Sequence, residues 1–501
     1  MKANHKMLNK ENKALNQLIN VRIDKLNKIK EHGYNPYPHI FVKEDKIVDI
    51  IKNIEDKKKY KTAGRIISLR KMGKASFLHI LGSKEKIQVY VKTDLLPDSL
   101  YDDIVRNLDL GDIIGVEGTL FYTRTKELTL QASNIILLTK SIRPLPNLKE
   151  KDGKVFFAFD DKELKYRKRY LDLIANKKVK EVFIKRSQIV NNIRIFLNSI
   201  DFLEVETPIL QPLYGGAFAK PFETYHNSLD RKLYLRIADE LYLKRLIIGG
   251  IERVYEIGKD FRNEGIDRTH NPEFTMLEFY KAYSDVYDMA NIVETMIKTI
   301  VKNLKIETIN FNDNNINLNK EFNRVSFYDI LEKHMLISIK DLSIDEIYKI
   351  INVKDVKIEE NLSKGKLLDK LFSIFVEPNL IEPTFVFDYP IEISPLAKHK
   401  RDGAKDIVER FELFVGGYEL ANSFSELNDP IDQKNRFLEQ IAEKSSSDEN
   451  MKQLDNDFLE AIEIGMPPTG GVGIGIDRLV MMLTSTNNIK DVILFPTLKT
   501  F

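Results

Sequence analysis

The chain has 501 residues, 43% hydrophobic and 10% aromatic, a globular composition long enough to bury a large core without cross-links. It has no cysteine, which excludes disulfides, thiolate metal sites and a cysteine nucleophile, and suits a reducing compartment. With 77 Lys and Arg against 75 Asp and Glu, the net charge is +2, which excludes a uniformly basic nucleic-acid coat but leaves room for a local basic face.

The opening MKANHKMLNKENKALNQLIN has no continuous apolar core, and no run approaches the ~20 apolar residues of a spanning helix. A cytoplasmic protein without a membrane partner is therefore expected. Residues 1–32 predict a helix, with Leu15, Leu18, Ile19, Leu26 and Ile29 at helical spacing, stopped by Gly33 and Asn35-Pro36-Tyr37-Pro38. From Lys61 the period shortens to two. Strands are expected at 63–69, 76–81, 86–91, 113–122 and 128–137, with a helical stretch at 102–108. Five short strands with a helix after the third is the layout of a small OB barrel, which commonly binds oligonucleotides. Ile87, Val89 and Val91 must fill such a barrel, which turns Gln88 and Tyr90 outward. Residues 141–170 read as a connector, stiffened by Arg143-Pro144-Leu145-Pro146. Beyond 171 no clean second boundary is visible. Helices are expected over 182–200, 285–305, 340–375 and 425–463, among strands and loops.

Three stretches carry chemistry. In Val254–Tyr283 two strand-like runs flank a loop near 265–269. Arg262 and Glu264, two apart, are expected on one face of the first strand, and His270, Asn271 and Phe274 at the start of the second. An arginine fork suits phosphate oxygens, and Phe274 offers a flat face to a base; the alternative is an exposed, salt-bridged hairpin. Gly470–Leu483 reads as a glycine-rich strand running into a helix that carries Arg478. Glycine lets a ligand approach the backbone, and a helix start attracts anions. The segment lacks the last glycine of the dinucleotide fingerprint. In 410–427, Gly416-Gly417 fits a two-residue hairpin turn. That turn pairs Phe414 with Glu419 and puts Glu412 diagonal to Glu419, about 7–8 Å away on the same face. Two such carboxylates could share Mg2+; a rim of solvated acids is the alternative. Strict alternation then sends Asn422 and Glu426 to the opposite face, so a bulge or turn is required if all four line one site.

In this order, these segments resemble the motifs of the class II aminoacyl-tRNA synthetases, and most closely their lysine branch. DFLEVETPIL (201–210) matches the dimer-forming first motif, FRNEGIDRTHNPEFTMLE (261–278) the second and GVGIGIDRLVM (471–481) the third. GGAFAKPF (215–222), YLRIADELYLKRL (234–246), DYPIEISPLA (388–397) and GGYELANSFSEL (416–427) match the lysine branch more specifically. The similarity runs from about residue 60 to the end.

The resemblance implies an α+β chain: an N-terminal helix and OB-fold β-barrel that binds the anticodon (1–143), a linker (144–170) and a class II antiparallel-sheet catalytic domain (171–501). It implies a homodimer that activates L-lysine with ATP and Mg2+ and transfers it to tRNA(Lys). In the ATP site it implies Arg262 on the α-phosphate and the lysine carboxylate, Glu264, Asn271 and Gly475 on the nucleotide, and His270 by the outer phosphates. Phe274 and Arg478 sandwich adenine, and Glu412 and Glu419 hold Mg2+. Arg262, His270 and Arg478 are the implied catalytic groups. The implied lysine site is Gly216, Glu240, Arg262, Glu278, Tyr280, Asn422, Phe424 and Glu426, with Glu240 on the α-ammonium and Glu426 on the ε-ammonium. Arg65, Phe77 and Gln88 are the implied anticodon contacts. Asp201, Thr269 and Asn134 depart from the pattern, which usually has glycine, often arginine and sometimes glutamate there. The alternatives are an aspartyl- or asparaginyl-type synthetase, which the acidic pocket residues disfavour, a non-catalytic RNA-binding paralogue, and an enzyme that lysylates a protein.

Overall fold

Five strands of the N-terminal part alternate buried and outward side chains: β1 (Lys59–Met72), β2 (Ala75–Leu81), β3 (Lys86–Lys92), β4 (Ile113–Tyr122) and β5 (Leu128–Thr139). They close into a barrel in the order β1-β2-β3-β5-β4. The computed structural model describes residues 2–55, 57–145, 148–151, 154–157, 162–217, 219–339, 342–352, 362–443 and 454–499. Ile87, Val89 and Val91 point into the barrel with Leu78, Ile80, Val116 and Leu130, while Gln88 and Tyr90 face outward. The helical stretch after β3 is short, Leu100–Asp103 followed by a 3-10 turn at Val105–Asn107.

The first helix, α1 (Lys2–Glu31), differs from expectation in its buried seam. Leu18 is 53% exposed, and the inward position is taken by Arg22. Residues 15, 19, 22, 26 and 29 step by four and three, so position 18 falls off the stripe. Arg22 survives burial because its guanidinium donates to Leu110 O at 3.0 Å and Ser141 O at 2.7 Å.

The chain divides into two compact units, Met1–Lys162 with Tyr170–Lys177, and Glu163–Arg169 with Lys178–Phe501. Within the connector expected at 144–170, residues 146–147, 152–153 and 158–161 lie outside the described residues. The remainder holds a two-stranded ribbon, Leu148–Lys151 with Lys154–Phe157, and helices at Lys162–Arg167 and Arg169–Ala175.

The second unit is built on an eight-stranded sheet. Its strands in chain order are β6 (Leu203–Glu204), β7 (Arg253–Phe261), β8 (Glu273–Ala282), β9 (Asn323–Ser326), β10 (Thr384–Pro390), β11 (Ile407–Val415), β12 (Tyr418–Ser425) and β13 (Thr469–Gly475). Their spatial order is β9-β10-β11-β12-β13-β8-β7-β6, antiparallel except for the pairs at the two edges. The expected helix over 182–200 is α2 (Lys177–Ser199); α3 (Glu240–Ile248), α4 (Val286–Asn303) and α5 (Ile476–Leu483) follow. The helical stretch expected at 340–375 is two helices, Ile344–Asn352 and Lys364–Phe375, and that at 425–463 is Pro430–Glu443 and Asn456–Gly465. Residues 340–341, 353–361 and 444–453 of those stretches lie outside the described residues.

The sheet has two unlike faces, because side chains alternate across it. One face carries Leu277, Phe279, Phe385, Phe411, Leu413, Val472 and Ile474, packed on Met289, Val293 and Ile297 of α4 and Ile189, Ile193 and Leu197 of α2. The other face carries, in one row across five strands, Glu256, Glu278, Gly473, Asn422 and Glu412. The adjoining row is Val254, Tyr280, Gly471, Phe424 and Arg410. Asp201, one of the three departures, sits just before β6 at φ 65, a conformation glycine takes freely and aspartate tolerates.

Candidate functional site

The polar face of the sheet opens into a cleft of 920 Å3. Arg262, Glu264, His270, Asn271, Phe274, Glu419, Gly475, Arg478, Gly216, Glu240, Glu278, Tyr280, Asn422, Phe424 and Glu426 all line it, and Glu412 does not. The turn between β11 and β12 is the expected one, with Gly416 at φ 63 and Gly417 at φ 78. Phe414 pairs with Glu419, and the register then shifts so that Leu420 has no partner, Leu413 faces Ala421 and Glu412 faces Asn422. The bulge resets the alternation. Glu419, Asn422, Phe424 and Glu426 therefore share one face of a single strand and its extension.

At the closed end stand Glu240, Glu278, Tyr280 and Glu426, all buried. The Tyr280 hydroxyl donates to Glu278 Oε2 at 3.2 Å. Gly471 leaves the space they occupy: a Cβ there would overlap both Glu426 Oε1 and the Tyr280 ring. Burial, with Asp260 and Glu240 adding repulsion, holds the Glu278 carboxyl well above the usual range. Two cations at this end escaped the sequence reading. Lys244 is fully buried between Glu240 and Glu426. Arg410, which lines the cleft, donates to Glu412, to Asn422 Oδ1 at 3.2 Å and to Ser394 Oγ at 2.9 Å. The spacing of Arg410 two residues before Glu412 was the available signal; Lys244, four after Glu240, offered a similar one.

Behind this end lies a second buried cluster. Arg236 contacts Glu256 at 2.6 Å, Asp239 at 2.9 Å and Asp260 at 3.3 Å, and the Thr207 hydroxyl donates to Glu256 at 2.7 Å. One guanidinium cannot balance three buried carboxylates. Burial, then repulsion from Asp260 and Glu278, pushes the Asp239 carboxyl far above its ordinary value despite Arg236. Burial raises the Asp260 carboxyl too, so the Asp239–Asp260 pair is expected to hold a proton in the folded chain that it loses on unfolding above the ordinary carboxylate range; folding then takes up a proton and stability falls as pH rises. Asp239→Asn removes that linkage. Its melting temperature relative to the wild type is expected to be about 2 °C or more higher at pH 8.5 than at pH 6; an equal difference at both pH values would contradict a proton held by the pair.

The open end carries the expected phosphate and base groups. Pairing of β7 with β8 ends at Phe261 and Glu273. Arg262 and Glu264 therefore lie in the loop after the first strand, and His270 and Asn271 in the loop before the second, which corrects their expected placement on the strands. The Arg262 guanidinium lies over the Phe274 ring, 5.1 Å from its centroid, with Nε donating to Ile237 O at 3.4 Å. His270 Nδ1 is 2.9 Å from Asp267 Oδ2, and its Nε2 is 3.3 Å from Arg478. Asp267 is a further orienting group that sequence reasoning missed. Against the rise that its partial burial alone would cause, the backbone N–H groups of Thr269 and His270 hold its carboxyl down to about 2. Arg478 donates to Glu419 O at 2.7 Å and Glu419 Oε2 at 3.2 Å. Thr269 lines the cleft and Arg268 does not. Asn271 Nδ2 donates to Glu273 O, while its buried Oδ1 has no hydrogen-bond partner among the described residues.

Around Glu412 and Glu419 acids outnumber cations: with Asp369 and Glu377 there are four carboxyl groups against the guanidiniums of Arg410 and Arg478. Burial and then Glu419 push the Glu377 carboxyl up to about 7, and burial raises Asp369 and Glu412 too, with Glu419 adding to both. This surplus of hard oxygen donors fits a divalent cation such as Mg2+. Glu419 reaches the cleft. Glu412 is engaged by Arg410 and, at 2.9 Å, by the Tyr389 hydroxyl. Among the described residues no three acidic or histidine side chains are already gathered around a single ion position.

On the barrel, Phe77 lies 4.8 Å from Tyr90, which lies 6.0 Å from Phe121, centroid to centroid. Gln88 donates to Glu127 Oε2 at 2.8 Å and accepts from Thr129 at 2.7 Å. His79 Nε2 is also 2.8 Å from Glu127. The carboxylate beside Gln88 is thus Glu127, while Asn134 stands across from Glu117 on β4. Arg70 stands across from Phe77, and Arg65 lies further along β1, donating to Gly111 O at 2.8 Å.

Two family models match the chain: one described as tRNA synthetases class II (D, K and N), over residues 161–499, and one described as an OB-fold nucleic acid binding domain, over 60–138. A relative from Carboxydothermus hydrogenoformans named Lysine–tRNA ligase is 47% identical over 494 residues, spanning 98% of this chain and 99% of that protein.

Proposed function

Since this chain belongs to the class II tRNA synthetases of the D, K and N group, we propose that its cleft activates L-lysine with ATP and transfers the lysyl group to the 3′ end of tRNA(Lys). The closed end of the cleft carries the choice of amino acid. Three carboxyl groups, Glu240, Glu278 and Glu426, converge there with Tyr280. They suit a substrate with two ammonium groups, whereas an aspartate side chain would be left buried against like charge. Glu240 takes the α-ammonium and Glu426, with Tyr280 and Glu278, the ε-ammonium. Gly216, Asn422 and Phe424 complete the walls.

The reaction joins two anions, and Arg262 is placed to offset their repulsion. Its planar fork holds the lysine carboxylate and the α-phosphate together, so a carboxylate oxygen attacks phosphorus in line and pyrophosphate leaves. Phe274 and Arg478 hold adenine, and Glu264, Asn271 and Gly475 hold the rest of the nucleotide. His270, oriented by Asp267, and Arg478 balance charge on the outer phosphates. Mg2+ held by Glu419 and Glu412 would supply further neutralisation of the pyrophosphate. The terminal ribose hydroxyl of tRNA then attacks the lysyl carbonyl, and AMP leaves. Pyrophosphate exchange tested with each of the twenty amino acids should respond to lysine alone; a response to aspartate or asparagine instead would overturn the reading.

The barrel reads the anticodon. Phe77 and Tyr90 offer stacking faces, and Gln88, its amide orientation set by Glu127 and Thr129, offers a base edge its hydrogen bonds. Stacking on an aromatic is worth about 1–3 kcal/mol per base. Phe77→Ala should therefore raise the KM for tRNA about tenfold or more, since about 1.4 kcal/mol is tenfold, with lysine activation unchanged. Equal losses in both assays, or none in either, would refute the role. Two copies pair through α2 and the first motif, where Ile195 on the helix and Leu203, Ile209 and Leu210 in the motif are exposed apolar side chains. No helix among the described residues is long and apolar enough to cross a membrane, and a cytoplasmic setting suits the substrates.

A further inference from the structure

Lys244 lies on α3 one turn after Glu240 and has no exposed side-chain surface. Its Nζ is 2.5 Å from Glu240 Oε1 and 2.5 Å from Glu426 Oε2. The two carboxylates line the cleft, and Lys244 stands behind them without reaching it. Its helix neighbours Leu243 and Ile247 belong to an apolar cluster with Val254 and Tyr280. An ammonium is costly to bury in such a place unless its charge has a task.

We propose that Lys244 is a positioning residue for the amino-acid substrate: it fastens Glu240 to Glu426 and, by lying between them, offsets the repulsion between the two carboxylates that receive the substrate's ammonium groups. The proposal rests on the lysine-activating reading of the cleft. It also explains how α3 and the end of β12, distant in sequence, hold their acids in one register. A single ammonium touching both leaves neither carboxylate free to swing, so the groups that receive the two ends of the substrate are spaced before it arrives.

The proposal has a signature in pH. Glu426 faces Lys244 and Glu240 from α3 and Tyr280 from β8, with Glu278 beyond the tyrosine hydroxyl. Burial pushes the Glu426 carboxyl up to about 8, Glu240 adds to the rise, and Lys244 is the group that pulls it down. Only the ionised form pairs with the ε-ammonium. In the wild type the KM for lysine in pyrophosphate exchange should therefore fall with rising pH and level off near pH 8.

Exchange measured from pH 6 to pH 9 on wild type and Lys244→Met tests this. Lys244→Met should raise the lysine KM about tenfold or more at neutral pH and move the levelling-off upward by about one pH unit or more. The KM for ATP should stay within about twofold, because the nucleotide groups lie at the other end of the cleft. A lysine KM and pH profile matching the wild type would overturn the role of Lys244. A wild type that exchanges nothing with lysine would instead overturn the reading of the cleft. If Lys244→Met does not fold, the double variant Lys244→Met/Glu426→Gln decides. A folded double variant supports charge balancing, and an unfolded one assigns Lys244 to packing and overturns the proposal.

Discussion

Glu426→Gln is expected to raise the KM for lysine by about a hundredfold or more, with little change in the KM for ATP. Glu426 is 1% exposed, and its Oε1 has no hydrogen-bond partner among the described residues. Its other oxygen is held by Lys244. The glutamine has the same shape but no charge, so the ε-ammonium enters the closed end beside Lys244 with one anion fewer. Removing one member of a buried charge pair costs about 3–5 kcal/mol, which exceeds the roughly 2.8 kcal/mol of a hundredfold change. The measurement is pyrophosphate exchange over a lysine series at saturating ATP. An unchanged lysine KM would remove Glu426 from the site.

The second large effect belongs to Arg262. Arg262→Gln should lower kcat for exchange by about 10²–10³, the range for loss of one preorganised donor to developing charge. Its guanidinium is lightly held in the ligand-free chain, by one 3.4 Å contact and the face of Phe274, so its hydrogen-bonding edge is available to the substrates. Binding of tRNA to the variant, followed by filter retention, should match the wild type, because the barrel is a separate unit. A fall in kcat of less than about fivefold would show that Arg262 does not stabilise the transition state.

Much of this architecture was legible in the residues. Alternation over Ile87–Val91 turned Gln88 and Tyr90 outward, and the structure agrees. The demand that Glu412, Glu419, Asn422 and Glu426 share a face required a bulge, and the structure has one at Leu420. What stayed hidden was charge inside apolar patterns. Lys244 lies in LYLKRLII, where helical spacing reads a lysine as solvated; only its two distant acids make it a core residue. Arg22 took a seam position for the same reason, its partners lying 88 and 119 residues away. Asp239 and Asp260 look like ordinary cap and strand-end acids until tertiary packing puts both on Arg236. Loop boundaries were misplaced as well: Arg262 and His270 belong to the turn because the ladder stops at Phe261 and Glu273.

The unpaired Leu420 reaches beyond strand register. Upstream of it Glu419, and downstream Asn422, Phe424 and Glu426, all line the cleft; on the proposed reading the first meets the phosphates and the others the amino acid. On that reading one uninterrupted stretch of main chain carries receiving groups for both reactants, and the distance between them is set by a strand held in register between β11 and β13. Two molecules that diffuse in separately are brought to a common scale by a measuring rod seven bonds of peptide long, from Glu419 to Glu426.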